Sequence, residues 1–176
     1  MKFSETALPG VFLVDIEPRE DERGFFARLW CRDELARHGL STDLAQISLS
    51  FNRRKGTLRG MHYQSAPHEE VKLVRCTLGA IYDVLVDLRR GSPTFRRWIS
   101  AELTAENRRT LYVPKGVAHG FQTLEDGSEV LYQISEFHHP ESARGARWND
   151  PAFGIEWPDR SPILSKRDEN YPDFRE

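Results

Sequence analysis

The chain has 176 residues, 39% hydrophobic and 30% charged, with a formal charge of −2, the size of one domain with one core and the make-up of a soluble globular protein. The near-neutral balance supplies no global positive field for nucleic acid, and no apolar run is long enough to cross a bilayer or act as a secretory signal. Cys31 and Cys76 form neither a CxxC nor a zinc-site spacing, so reduced thiols and a cytoplasmic setting are expected, with no membrane and no nucleic-acid partner.

Residues 11–17 are β-branched and aromatic-rich between Pro9-Gly10 and Pro18, which predicts a strand. An acidic turn over 20–24 leads into a second strand at 25–30. Residues 33–39 read as a short helix, with Asp33 as its N-cap and Gly39 just past its end. From Gln46 onward the spacing predicts strands over 46–51, 57–64, 71–78, 80–88, 98–103, 109–113, 120–124 and 129–137. Gly79, Gly91-Ser-Pro93, Pro114-Lys-Gly116 and Glu125-Asp-Gly127 supply turns between them. So many short strands predict an all-β sandwich or barrel.

Within 80–88, Ile81, Asp83, Leu85 and Asp87 share one face and Tyr82, Val84, Val86 and Leu88 the other, so both faces are expected to be partly buried. A salt bridge to an arginine or a bond to a turn is expected for Asp83, because an unpaired buried carboxylate is costly. From Pro140 the chain is rich in turn formers and carries Trp148 and Trp157, which predicts an ordered tail over 140–176 wrapped on the barrel. Asp168 lies near its end, within reach of a site.

The stretch Gly56-Thr-Leu-Arg-Gly-Met-His-Tyr-Gln64 sets Arg59, His62 and Gln64 among hydrophobes and glycines, and a strand there puts His62 and Gln64 on one face. Lys72 on an apolar strand and His119 in Pro114-Lys-Gly-Val-Ala-His-Gly-Phe121 add a cation and a second imidazole. Together they describe a polar pocket inside a β-rich core.

These motifs, with Asp21-Glu-Arg-Gly-Phe-Phe26, Lys72-Leu-Val-Arg75, Arg147-Trp-Asn-Asp-Pro151 and Pro162-Ile-Leu-Ser165, resemble the dTDP-4-dehydrorhamnose 3,5-epimerase family over nearly the whole chain. The resemblance implies a cupin jelly roll (double-stranded β-helix) with short peripheral helices, as one domain over 1–176 in a homodimer. An N-terminal arm over 1–30 would pack on the partner subunit. It also implies epimerisation of a nucleotide-linked 4-keto-6-deoxy sugar at C3 and C5, in rhamnose or related surface-glycan synthesis, without a cofactor. By the same resemblance His62 is the base, Asp168 fixes its tautomer, Lys72 stabilises the enolate and Tyr132 returns the proton. Arg23, Phe26, Arg28, Gln46, Ser48, Arg59, His119 and His138 are implied to bind substrate. Tyr132 taken by itself, with Val130 and Ile134 on its face, reads as a core aromatic rather than as an acid.

Metal-binding cupins carry an HxH pair and a later acid; here His62-Tyr-Gln64 and Lys72 stand instead. Gln is a poor transition-metal ligand and an ammonium repels a cation, so no metal is expected. Departures from the family fall on the binding side. Arg28 stands where Glu is common, Ile47-Ser48 where Asp-Asn is usual, His138 where a Tyr often stacks on the thymine, and Ala143 where Glu is usual. An altered nucleotide or sugar is one reading, and a salt bridge from Arg28 to Glu141 another. C3-only epimerisation, a GDP-, CDP- or UDP-linked sugar, and a non-catalytic sugar-nucleotide-binding cupin are the alternatives.

Overall fold

Short runs of alternating apolar and polar residues, cut by glycine and proline, fold as strands because successive side chains point to opposite faces. The computed structural model describes residues 1–175; Glu176, the last residue of the expected tail, lies outside the described residues. In chain order the elements are β1 (Lys2–Glu5), β2 (Phe12–Asp15), β3 (Arg19–Asp21), β4 (Gly24–Phe26), α1 (Arg32–Arg37), β5 (Gln46–Asn52), β6 (Leu58–Gln64) and β7 (Lys72–Leu78). They continue with β8 (Ala80–Asp87), β9 (Trp98–Thr104), β10 (Thr110–Val113), β11 (Val117–Thr123), β12 (Ser128–Ile134), β13 (Ala143–Gly145) and α2 (Lys166–Glu169).

One sheet has the order β1-β2-β10-β7-β12-β5 and a second β13-β6-β11-β8-β9, while β3 and β4 form a separate hairpin. The ladders between these strands are antiparallel. Val74, Cys76, Leu111 and Val130 of the first sheet meet Ile81, Leu85, Leu103 and Phe121 of the second in a common core. Two antiparallel sheets packed in this way make the cupin jelly roll, with α1 and α2 at its periphery. No helix among the described residues is long and apolar enough to cross a membrane.

The two faces of β8 are both buried, as its alternation predicts. Ile81 and Leu85 face the other sheet. Val84 and Val86 pack with Ala146, Phe153 and Trp157 of the tail, where burying a side chain of Phe or Val size contributes on the order of 1.5–3 kcal/mol. Asp87 ends the strand as a hub that accepts from Arg89, Ser92 and Thr94. Burial pushes its carboxyl up, yet these hydrogen bonds outweigh burial and hold it at about 2.

Three local expectations are corrected. The helix begins two residues earlier, with Cys31 rather than Asp33 at its N-cap and no side-chain cap bond; Asp33 lies in the first turn and pairs with Arg37. The expected strand at 25–30 stops at Phe26. His119 is delivered by a strand rather than a turn, because β11 already begins at Val117.

Candidate active site

β6 and β11 can pair closely only because glycines face each other. A Cβ on Gly60, at φ +143°, would lie 2.5 Å from Gly120 Cα, so a side chain there would force the strands apart. Their register sets His62 opposite His119. From the other sheet, β7 and β12 bring Lys72 and Tyr132 towards the same space, with Lys72 paired to Ile134 and Val74 to Tyr132.

The result is a cavity of 320 Å³ lined by Arg59, His62, Lys72, His119, Tyr132 and His138. Gln46 and Ser48 of β5 also reach it. The structure therefore brings together most of the predicted site residues. Asp168 stands behind the wall, buried, with Oδ1 2.7 Å from His62 Nε2. Its position is fixed by α2, whose N-cap Ser165 accepts from the Asp168 amide.

Arg23, Phe26 and Arg28 lie elsewhere. Arg23 extends into solvent and pairs with Asp21 at 2.6 Å, and Phe26 is 72% exposed. Arg28 pairs with Glu34 at 2.6 Å, not with Glu141, which is bound by His139. The Met1 ammonium and Arg28 together hold the Glu34 carboxyl at about 2.

Two His–carboxylate pairs define the electrostatics. The Nε2–H of His62 donates to Asp168, which leaves the Nδ1 lone pair as the basic site and places a carboxylate to stabilise the imidazolium. His119 Nε2 lies 2.8 Å from Asp83 Oδ2, so the partner of Asp83 is an imidazole on a strand and not the expected arginine or turn. Burial pushes the Asp83 carboxyl up, against the pull of His119 and Lys72, and its Oδ1 has no hydrogen-bond partner among the described residues. Lys72 Nζ is 2.7 Å from Glu70, with both side chains largely buried. Burial raises the Tyr132 phenol well above its ordinary value, a weak bond between it and Ser50 notwithstanding. Tyr132 is therefore protonated across the neutral range.

The donor set does not suit a cupin metal. The Gln64 amide is consumed by backbone groups, the Nε2 atoms of His62 and His119 are held by carboxylates, and Lys72 places an ammonium among them. Glu70 was missed in the sequence, although an acid two positions before Lys72 shares its face on an extended chain. Ser50, Tyr63, Arg144 and Arg167 also line the cavity without a sequence signal of their own.

The family model described as dTDP-4-dehydrorhamnose 3,5-epimerase matches residues 5–176. The dTDP-4-dehydrorhamnose 3,5-epimerase of Pseudomonas aeruginosa is 43% identical over 172 residues, covering 96% of this chain and 93% of its own. The structure of the Bacillus anthracis enzyme of that name, with TDP and PPi bound, superposes with a TM-score of 0.95 at 40% identity, covering 98% of this chain and 99% of that one. The Legionella pneumophila dTDP-6-deoxy-D-glucose-3,5-epimerase in complex with dTDP-4-keto-L-rhamnose gives 0.88 at 34% identity, covering 95% and 89%.

Proposed function

Because the chain belongs to the dTDP-4-dehydrorhamnose 3,5-epimerase family, we propose that its cavity inverts the two carbons flanking the ketone of a dTDP-linked sugar, with His62 as base and Tyr132 as acid. The chain is an isomerase acting on a nucleotide-linked 4-keto-6-deoxy sugar, dTDP-4-dehydro-6-deoxyglucose, in deoxysugar synthesis. One observation carries the assignment of roles: His62 stands on β6 of one sheet and Tyr132 on β12 of the other, and both line one cavity. A sugar ring held between the sheets has one face to each.

The chemistry follows from the ketone. Hydrogens on the carbons beside it are acidic, and removal of one leaves an enolate that can be reprotonated from the opposite face. Nδ1 of His62 takes the proton, while Asp168 stabilises the imidazolium that forms. The Lys72 ammonium neutralises charge on the enolate oxygen. The Tyr132 phenol then protonates carbon from its own side; a weak acid serves because the enolate carbon is strongly basic and the donor is already positioned. The same groups serve C3 and C5 when the sugar presents each in turn. Tyr132→Phe is expected to cut inversion about a hundredfold while solvent exchange continues at the carbons His62 deprotonates, as read by proton NMR in D2O. Inversion at the wild-type rate would remove Tyr132 from the role.

Arg59, His119, His138, Gln46 and Ser48 hold the substrate. Arg23, Phe26 and Arg28 act in a second copy's cavity, because the arm carries them away from their own. A homodimer through the outer face of the β5 sheet accounts for this. Ile47, Leu49, Phe51 and Leu78 are each more than half exposed there, a patch that a lone soluble chain would be costly to leave uncovered. Arg75, buried with Thr110 as its hydrogen-bond partner, has its guanidinium pushed down to about 10 by burial. Analytical ultracentrifugation is expected to give twice the chain mass, and Leu49→Arg to give monomers with little activity. A fully active monomer would contradict the arrangement.

A further inference from the structure

We propose that Gln64 is a positioning residue for nucleotide binding, which it serves by fixing the backbone on either side of His138. Gln64 is buried and 4% exposed, at the end of β6. Its Nε2 donates to the carbonyl of Phe137 at 3.1 Å, and its Oε1 accepts from the amide of His139 at 2.7 Å. One side chain thus brackets His138 as a neighbouring strand would. The second Nε2 hydrogen goes to the carbonyl of His68 at 2.9 Å, in the loop between β6 and β7.

The requirement is chemically narrow. The site needs two donors and an acceptor at the tip of one neutral side chain, and among side chains only an amide provides them. A carboxylate would set negative charge against two carbonyl oxygens, and an imidazole has two ring nitrogens for three partners. This gives the residue at the third position of the His62-Tyr-Gln64 motif a task other than binding an ion.

Two further ties act on the same loop. Gln46, from β5, donates to the carbonyl of Glu136 at 3.1 Å, so the segment carrying His138 is held from both sheets. The rings of His68 and His139 stack with centroids 3.6 Å apart and planes 7° from parallel. His68, His139 and Glu141 bring their ligand atoms within 4.8 Å of one another, but face-to-face rings hold their in-plane lone pairs in parallel planes that do not converge on one ion. The stack instead joins the loop after β6 to the loop after β12. Lys72, by contrast, is fixed by its own ladder pairing to Val113 and Ile134, and His62 by Asp168. Loss of Gln64 therefore loosens the binding rim and leaves the proton-transfer groups in place.

The consequence for affinity rests on the reading that His138 contacts the nucleotide base. Calorimetry with dTDP on wild type, Gln64→Leu, His138→Ala and the double variant tests it, alongside hydrogen exchange of the segment 136–140. Gln64→Leu is expected to weaken dTDP about tenfold, the order of one or two hydrogen bonds' worth of ordering, and to speed exchange in that segment. KM should rise while kcat stays within a few-fold. The double variant should bind no more weakly than His138→Ala to within about twofold, since Gln64 acts through His138. Gln64→Glu keeps the experiment decisive if the leucine variant does not fold: it should bind weakly at neutral pH, and recover relative to wild type as the carboxyl protonates and regains one donor. Unchanged exchange at 136–140, additive losses, or a fall in kcat at constant KM would each overturn the role of Gln64. Faster exchange with His138→Ala binding dTDP as wild type does would instead overturn the base-contact reading on which the affinity claim rests.

Discussion

His62→Asn is expected to lower epimerisation by about a thousandfold or more, within the range that general base catalysis supplies, and to abolish solvent exchange at C3 and C5 together. Asparagine is shorter than the ring and does not reach Asp168 as Nε2 does, and it has no lone pair basic enough to take a proton from carbon. The joint loss is the informative part. His62 is the imidazole in the cavity whose Nε2 is committed to the buried carboxylate of the tail, 2.7 Å away, and so it serves whichever carbon the ring presents. His119 is held by a different acid, Asp83, and stands opposite His62 in the register of β6 and β11. If exchange at one carbon survives in His62→Asn at the wild-type rate, a second base operates and the single-base account fails. Circular dichroism separates this from unfolding, since the substitution removes a half-exposed ring and leaves the glycine-lined strand contact intact.

Lys72→Ala should cost about 10²–10³-fold in kcat, the scale of removing one donor to an oxyanion, with a smaller change in KM. The competing view is that Lys72 only balances Glu70, 2.7 Å away, and adds its pull to that of His119 on the buried Asp83. Breaking a buried pair by removing one partner is destabilising by itself, so a single variant conflates the two roles. Glu70→Gln combined with Lys72→Met separates them, because it removes both charges at once. If Lys72 stabilises the enolate, the double variant recovers thermal stability but not rate. Recovery of rate would reduce Lys72 to a structural ion pair. In either case the midpoint of thermal unfolding reports the cost of the unpaired carboxylate independently of turnover.

Much of the fold was legible because alternation carries it. The strands from Gln46 to Ile134 appear within a few residues of where apolar and polar positions alternate, and the two buried faces of β8 follow from Tyr82, Val84 and Val86 against Ile81 and Leu85. The elements missed are those whose formation depends on a partner strand rather than on their own pattern. β1 (Lys2–Glu5) exists because it pairs with β2, and β13 (Ala143–Gly145) because it pairs with β6; neither has an apolar pattern of its own. Asp33 misled because acids suit both an N-cap and a first turn, and its pairing with Arg37 favours the latter. At the site, His62 and Gln64 were readable as one face of a strand, but the 106 positions between His62 and Asp168 hide their contact from any local pattern. The turn-rich tail placed Asp168 within reach of a site, and the resemblance alone paired it with His62. Arg28, one of the departures on the binding side, is met on its own chain by Glu34, which also accepts from the Met1 ammonium.

The most direct test of the central claim is proton NMR in D2O with wild-type protein and dTDP-4-dehydro-6-deoxyglucose, following the C3 and C5 signals through time. Washout of both protons, with appearance of the doubly inverted sugar and without added metal or cofactor, is the predicted result. Retention of both signals with this sugar, or washout only with a UDP-, CDP- or GDP-linked analogue, would contradict it.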